Sequence, residues 1–357
     1  MPSNWAVFQA LCRTIGGLDR EVLASAVAAQ LMPQMIQQAA GTDLLPALAV
    51  RCFAQPEVTD ILTEQDTRQL RDALMENTQR NMRIIAQSLS LIRTLNDAGI
   101  KPLLLKGTAH LLTINREQPG FRKQADIDLI VPPDSLLAAG EALQADGYRF
   151  YRNYRPLETR PGVAADTRAA IDASATHHHL PPLVKPDQAA FVELHRHFLS
   201  RRFQDSMPLD ALFDSACEHR IDDATFLLPS AEYQVIHIVL GKLLHDGYLA
   251  ARRFPIREAC DYMGLRESAA DTFDSNEVIA YCNTSFSVFD QLVKALMGYQ
   301  STTPTHAGIN LRYRIGLMRM RYEYAAPGKL LDLYARTQHL AYATLYTPSK
   351  LAKYLRR

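Results

Sequence analysis

Apolar residues follow two rhythms along this chain, and the change of rhythm divides it. From Asp19 to Gln38 the run is rich in Ala, Leu, Val and Met, with Asp19 placed to cap a helix, Glu21 in its first turn, and Pro33 set to end or kink it. Leu44 to Phe53 predicts a second, shorter helix. Between Thr63 and Ala98 the positions Leu70, Leu74, Ile84, Ile85, Leu89, Ile92 and Leu95 recur at mostly helical spacing, and Gly99 is placed to close one long helix. The rhythm shortens between Lys101 and Leu228. Leu103 to Leu105 form an apolar run that stops at Lys106-Gly107-Thr108, and Ala109, Leu111 and Leu112 resume it, so a buried strand, a tight turn and a helix start are expected. Asp126 to Val131 predicts the next strand. Pro132-Pro133-Asp134 opens a helix ending near Gly147, Tyr148 to Tyr154 returns as a strand, and Pro156 to Ala175, without periodicity, reads as a mobile loop or insertion. His177 to Val184 and Ala190 to Phe198 read as strands joined by a hairpin at Lys185-Pro186-Asp187-Gln188. Beyond Pro229 helical spacing returns, in a helix opened by Ser230 and Glu232 and in Ile256 to Met263, Glu277 to Met297, Leu311 to Tyr324 and Leu330 to Leu345.

These rhythms predict an α+β protein in three parts: an N-terminal helical region (1–100), a core of sheet and helices (101–228) and a C-terminal helical domain (229–357). A chain of 357 residues can bury a sizeable core. Its 39 Lys and Arg against 38 Asp and Glu leave a net charge of +1, which makes no general case for a nucleic-acid or membrane partner. Cys12, Cys52, Cys217, Cys260 and Cys282 are widely spaced with no C-x-x-C pair, which argues against a zinc ribbon or a disulfide scaffold and leads us to expect buried, reduced thiols. The N-terminus lacks a basic segment followed by an apolar one, and no run approaches ~18 apolar residues, so a cytoplasmic protein is expected. The basic tail S-K-L-A-K-Y-L-R-R reads as a solvated amphipathic end.

The chemistry concentrates between Lys101 and Val131. Side chains alternate across a strand, so Asp126 and Asp128 share a face about 7 Å apart, with Ile127 and Leu129 on the other. Two carboxylates so held repel each other unless a cation lies between them, which asks for a divalent metal. On the same logic, neutralising Asp128 in the metal-free protein should relieve strain rather than break a contact. Gly107 and Thr108, at a helix start, suit an anion, because backbone N–H groups attract it and glycine permits close approach. Such a turn alone is an ordinary strand-to-helix connection; the ordered combination with the later Asp-x-Asp is far more specific.

That order, a Gly-Ser/Thr turn followed by Asp-x-Asp on the next strand, resembles the polymerase-β-like nucleotidyltransferase superfamily. L-L-K-G-T with R-x-x-x-D-I-D-L-I-V resembles, more narrowly, a bacterial family of uncharacterised nucleotidyltransferases marked by L-K-G and D-I-D-L-L-V. Similarity continues through His178-His179-Leu180-Pro181-Pro182-Leu183 and Val192-Glu193-Leu194-His195, and spans roughly Leu91 to Leu265. The resemblance implies a polymerase-β-like core with a mixed sheet, Mg²⁺ or Mn²⁺, an NTP substrate, and transfer of NMP to a hydroxyl acceptor with release of pyrophosphate. It casts Asp126, Asp128 and Glu193 as catalytic metal ligands, with Glu193 also a candidate general base. Lys106, Gly107, Thr108 and Arg122 would meet the phosphates, with His195 beside them. The acceptor, whether a protein side chain, a small metabolite or an RNA end, is left open. So is a second class of function, an NTP-binding module that has lost turnover and acts through protein contacts. A helical interaction protein carrying the motif by accident is a third. His177, His178, His179, His195 and His197 also invite a zinc reading, although such histidines more often orient a carboxylate or ribose. Glu193 has a bland alternative too, as a strand residue paired with Arg196 or Arg202. His237 is expected as a satisfied core residue.

Overall fold

Alternation along two neighbouring strands decides the architecture. In a computed structural model that describes residues 3–17, 26–201, 203–204, 207–300, 311–324 and 328–337, the chain is a mixed α+β structure around an eight-stranded mixed sheet. Its strands run β4-β3-β7-β8-β2-β1-β10-β9. They comprise β1 (Leu103–Leu104), β2 (Asp126–Ile130), β3 (Arg149–Arg152), β4 (Arg155–Pro156), β7 (Leu183–Val184), β8 (Phe191–His195), β9 (Cys217–Ile221) and β10 (Ala224–Leu228), while β5 (Glu158–Arg160) and β6 (Val163–Ala164) pair as a separate ribbon. The pairs β2–β8 and β1–β10 are parallel and the rest antiparallel.

Besides a single turn at Pro56–Thr59, the helices described before β2 are α1 (Asn4–Gly16), α2 (Ala26–Ala40), α3 (Leu45–Phe53), α4 (Glu64–Asp97) and α5 (Lys106–Leu112). Further on come α6 (Leu136–Ala145), α7 (Thr167–Ala173), α8 (Leu209–Asp214), α9 (Ala231–His237), α10 (Ile256–Ser268), α11 (Ser275–Cys282), α12 (Thr284–Met297) and α13 (Leu311–Glu323). One sheet face, with Ile127, Leu129, Val192, Leu194, Leu183 and Phe150, packs with Ile84, Leu91, Ile92 and Leu95 of α4 and with Leu136, Ala139 and Leu143 of α6. Each such side chain removed from water contributes about 1.5–3 kcal/mol. The long helix α4 starts where Thr63 Oγ1 accepts the Asp66 N–H at 3.1 Å and stops where Gly99 turns left-handed at φ 74. A second hydrophobic cluster joins α1, α2 and α3 to α9, α10, α11 and α12, so both helical regions share one core. In it α1 packs closely on α12, where a Cβ on Gly16 would meet the Met297 carbonyl oxygen at 2.9 Å.

The elements depart from expectation where local chemistry intervenes. Asp19 and Glu21 lie outside the described residues, but α2 passes through Pro33 without ending. The segment 156–175 holds a ribbon and α7, capped by Asp166 Oδ1 on the Ala169 N–H at 2.8 Å. The strand expected from His177 shrinks to Leu183–Val184, preceded by one bridge from His179 to His195, because Pro181 and Pro182 have no N–H to give a ladder. Asn283, at φ 49, splits the expected helix of Glu277 to Met297 in two. Cys217 is exposed and Cys260 only partly covered; Cys12, Cys52 and Cys282 are buried as expected, and all five are free. The C-terminal helical segment is described through residue 337, and the basic tail lies outside the described residues. No helix among the described residues is long and apolar enough to cross a membrane.

Candidate active site

Parallel pairing sets Asp126 opposite Phe191, Asp128 opposite Glu193 and Ile130 opposite His195. Since Ile127, Leu129, Val192 and Leu194 take the face against α4, the acidic residues and His195 take the other. Donor atoms of Asp128, Glu193 and His195 lie within 4.8 Å of one another, a group that could hold a metal ion. Two side-chain nitrogens close on its carboxylates. Lys106 Nζ lies 2.7 Å from Asp128 Oδ1 and 4.0 Å from Glu193 Oε2. His195 Nε2 lies 2.9 Å from the same Asp128 oxygen and 3.6 Å from Glu193 Oε2. The Asp128 N–H donates to Thr108 Oγ1 at 2.8 Å, which pins the first turn of α5 to β2.

These pairings split the two aspartates. Burial alone would raise the Asp128 carboxyl, but Lys106 and His195 outweigh it and hold it well below the usual carboxylate range. Asp126 has no such pairing; burial, and then the charges of Asp128 and Glu193, push it up to about 6. Glu193 is lowered, its hydrogen bond with His195 overcoming burial. His195 is raised, because Asp128 and Glu193 outweigh burial and Lys106. The premise of the expected relief on neutralising Asp128 is not met: its carboxylate pairs with Lys106 and His195, and the repulsion falls on Asp126. Burial keeps the nearby His178 and His237 neutral, with His237 lowered to about 3.

The turn itself is built unexpectedly. Lys106, not Gly107, takes the left-handed backbone, at φ 51. Gly107 is needed for space, because a Cβ there would overlap Gln124 Oε1 and the Arg122 guanidinium. Arg122 Nε donates to both carboxylate oxygens of Asp261 at 3.0 Å, and its Nη1 donates to Gln124. Gln124 Nε2 in turn donates to the Asp126 carbonyl at 2.6 Å. Asp261 is buried yet stays below the usual range because Arg122 and His110 outweigh burial. From α4, Asn77 Nδ2 donates to the Gly120 carbonyl at 2.7 Å and Asn81 Nδ2 to the Arg122 carbonyl at 2.7 Å, which fixes this loop from behind.

Lys106, Gly107, Arg122, Asp126 and Asp128 line one side of a cleft of about 440 Å³. Lys242, on a π-helical continuation of α9 (Ile238–His245), and Arg257 and Glu258 of α10 complete its lining from the C-terminal helices. π-Helical turns are rare and recur at functional sites. The family described as uncharacterised nucleotidyltransferase matches residues 30–297. The chain belongs to this family. No curated protein and no solved structure matches it. The match to the uncharacterised nucleotidyltransferase family takes in the whole sheet and both walls of the cleft.

Of the residues expected at the site, Asp128, Glu193, His195 and Lys106 converge, with Asp126 one alternation further along β2. Gly107 and Arg122 line the cleft, and Thr108 is buried beneath it. Arg196 donates to the Ile171 carbonyl at 2.9 Å, away from Glu193. His177, His178, His179 and His197 join no metal-capable group among the described residues. Gln124, Asp261, Asn77 and Asn81 escaped the sequence reading. Asn77 and Asn81 did leave a signal, since they occupy the apolar stripe between Leu74 and Ile84. The donor chemistry fits a hard divalent cation on the two carboxylates. It fits less well at His195: metal-bound histidines usually donate their second N–H to a partner, and Nδ1 has none among the described residues.

Proposed function

We propose that this protein is a Mg²⁺- or Mn²⁺-dependent nucleotidyltransferase that moves an NMP from an NTP to a hydroxyl acceptor and releases pyrophosphate. One observation carries the reading: Asp128 pairs with Glu193 on adjacent parallel strands with Asp126 on the same face, and the two aspartates line a cleft that begins at a helix start. In this reading Asp126, Asp128 and Glu193 hold the cation, and His195 orients Asp128 and Glu193 by hydrogen bonding. Gly107 and Lys106 receive the phosphates, Arg122, tied to Asp261 and Gln124, braces the turn beside them, and Thr108 acts through the main chain of Asp128. When bound, the metal neutralises triphosphate charge and activates the attacking hydroxyl. The acceptor oxygen bonds the α-phosphorus, the bridging oxygen leaves with pyrophosphate, and the hydroxyl proton passes to a carboxylate of the set. The core (101–228) supplies the acids and the C-terminal helices the far wall, which suits that wall to the acceptor, be it a protein side chain, a small metabolite or an RNA end.

The test is incubation with each α-labelled NTP, Mg²⁺ and lysate. Label should pass to one acceptor class with equimolar pyrophosphate, and with Asp128→Asn transfer should fall about a thousandfold or more. Absence of transfer together with NTP binding that is equal in EDTA would refute the reading. A second reading, a catalytically silent NTP-binding module, draws on one observation: the Lys106 ammonium already supplies a cation to Asp128 and Glu193. Calorimetry separates the two, since a silent module of that kind binds NTP without added metal.

A further inference from the structure

Lys106 is held against its own preferences. Its backbone sits at φ 51, a region that side-chain-bearing residues avoid, and its side chain is only 29% exposed. What it gains is contact with Asp128 and Glu193, at 2.7 and 4.0 Å. An ammonium at that place does for the carboxylates what a divalent cation would do. The two cannot share the site without setting like charges against each other at ion-pair distance. A free cation must therefore displace Lys106, and the displaced ammonium needs another anion, because a partly buried charge left unpaired is costly. Arg122, at the same turn, is already engaged, its Nε–H shared by the two oxygens of Asp261 and its Nη1 given to Gln124. Lys106 is thus the cation of this turn that a phosphate can recruit, on a long stem that already lines the cleft.

We infer that Lys106 makes the site selective for the metal–nucleotide complex: it bars free divalent cation by occupying Asp128 and Glu193, and yields them when a triphosphate offers its ammonium a new partner. The inference rests on the transferase reading of the site. Metal and nucleotide then bind cooperatively, and by linkage each raises the other's affinity by the same factor. A Lys106→Met chain loses the barrier and the coupling together.

Mn²⁺ binding, followed by the electron paramagnetic resonance of free Mn²⁺, tests this with and without a saturating NTP analogue whose α–β bridge is methylene. Wild-type protein should bind Mn²⁺ weakly alone and about tenfold more tightly with the analogue. Lys106→Met should bind Mn²⁺ alone about tenfold more tightly than wild type, with little further gain from the analogue. Lys106→Arg, which keeps the charge, should stay weak for Mn²⁺ alone, and circular dichroism confirms that each variant is folded. Wild-type protein that transfers label but binds metal and nucleotide independently would overturn the inference and leave the transferase reading intact. Protein that binds neither would overturn both. A Lys106→Met variant that binds Mn²⁺ alone no better than wild type defeats the inference as well, and the wild-type comparison stands even where the variants do not fold.

Discussion

The two faces of β2 and β8 are made of alternate residues of the same strands, and they obey opposite rules. On one, Ile127, Leu129, Val192 and Leu194 are buried among apolar neighbours, and any apolar side chain of similar volume would serve. On the other, Asp128 has two named partners, each within 3 Å, and removing any member strands the rest. A packed face spreads its stability over many small contacts, whereas the charged face concentrates it in a few atoms. Clustered carboxylates also need not repel: Asp128 is the anchor of its cluster, and the cost of crowding falls on Asp126.

The comparison breaks most sharply at Asp128→Asn. Label transfer should fall about a thousandfold or more, since charge stabilisation at the reacting phosphate is lost. The metal-free variant should also unfold more easily by about 3 kcal/mol, because Lys106 and His195 lose their buried partner. Denaturant titration in EDTA would show this, and a midpoint equal to or above wild type would mean that repulsion governs after all. On the opposite face, Leu129→Ala should lose about 3 kcal/mol by the same titration, yet keep near-normal transfer per folded molecule. Activity lost beyond the unfolded fraction would mean that the faces are not independent. Smaller still is Asn81→Ala, which removes a buried donor to the Arg122 loop; about 1–2 kcal/mol should go, with KM for NTP rising more than kcat falls.

The remaining effect, at Asp126, depends on pH. Its carboxyl titrates near 6 in the folded chain against 3.8 in its ordinary state, so the folded form holds the proton more tightly. Wild-type stability from this group is therefore full below about pH 4 and is lost as pH rises through 6. Asp126→Asn should melt above wild type at pH 7 without metal, and match it at pH 4. A gain that persists at pH 4 would show that something other than charge is at work.

Much of the site was legible because alternation and turn chemistry are local. Asp126 and Asp128 on one face, Glu193 on the neighbouring strand, and a helix opening after Leu105 all follow from spacing and family resemblance. What stayed hidden depends on distant contacts. Nothing near Lys106 shows that its ammonium returns to Asp128, or that the special backbone falls there and not at Gly107. The Asp261 carboxylate that engages Arg122 sits on α10, in what reads as an ordinary amphipathic helix. Asn77 and Asn81 were the missed opportunity: polar residues on an apolar stripe announce a buried hydrogen-bonded job, though not its partner.

The seam between α1 and α12 bears on the order of events during synthesis. Trp5, Phe8, Leu11 and Ile15 of α1 are buried in a cluster that also holds Phe289, Leu292, Val293 and Leu296 of α12, encoded almost at the other end of the described chain. At ribosomal speeds that partner emerges tens of seconds later. Helix α1 can pack on α2 and α3 as they emerge, but the part of its apolar stripe that α12 covers stays open until then to chaperones and to neighbouring chains.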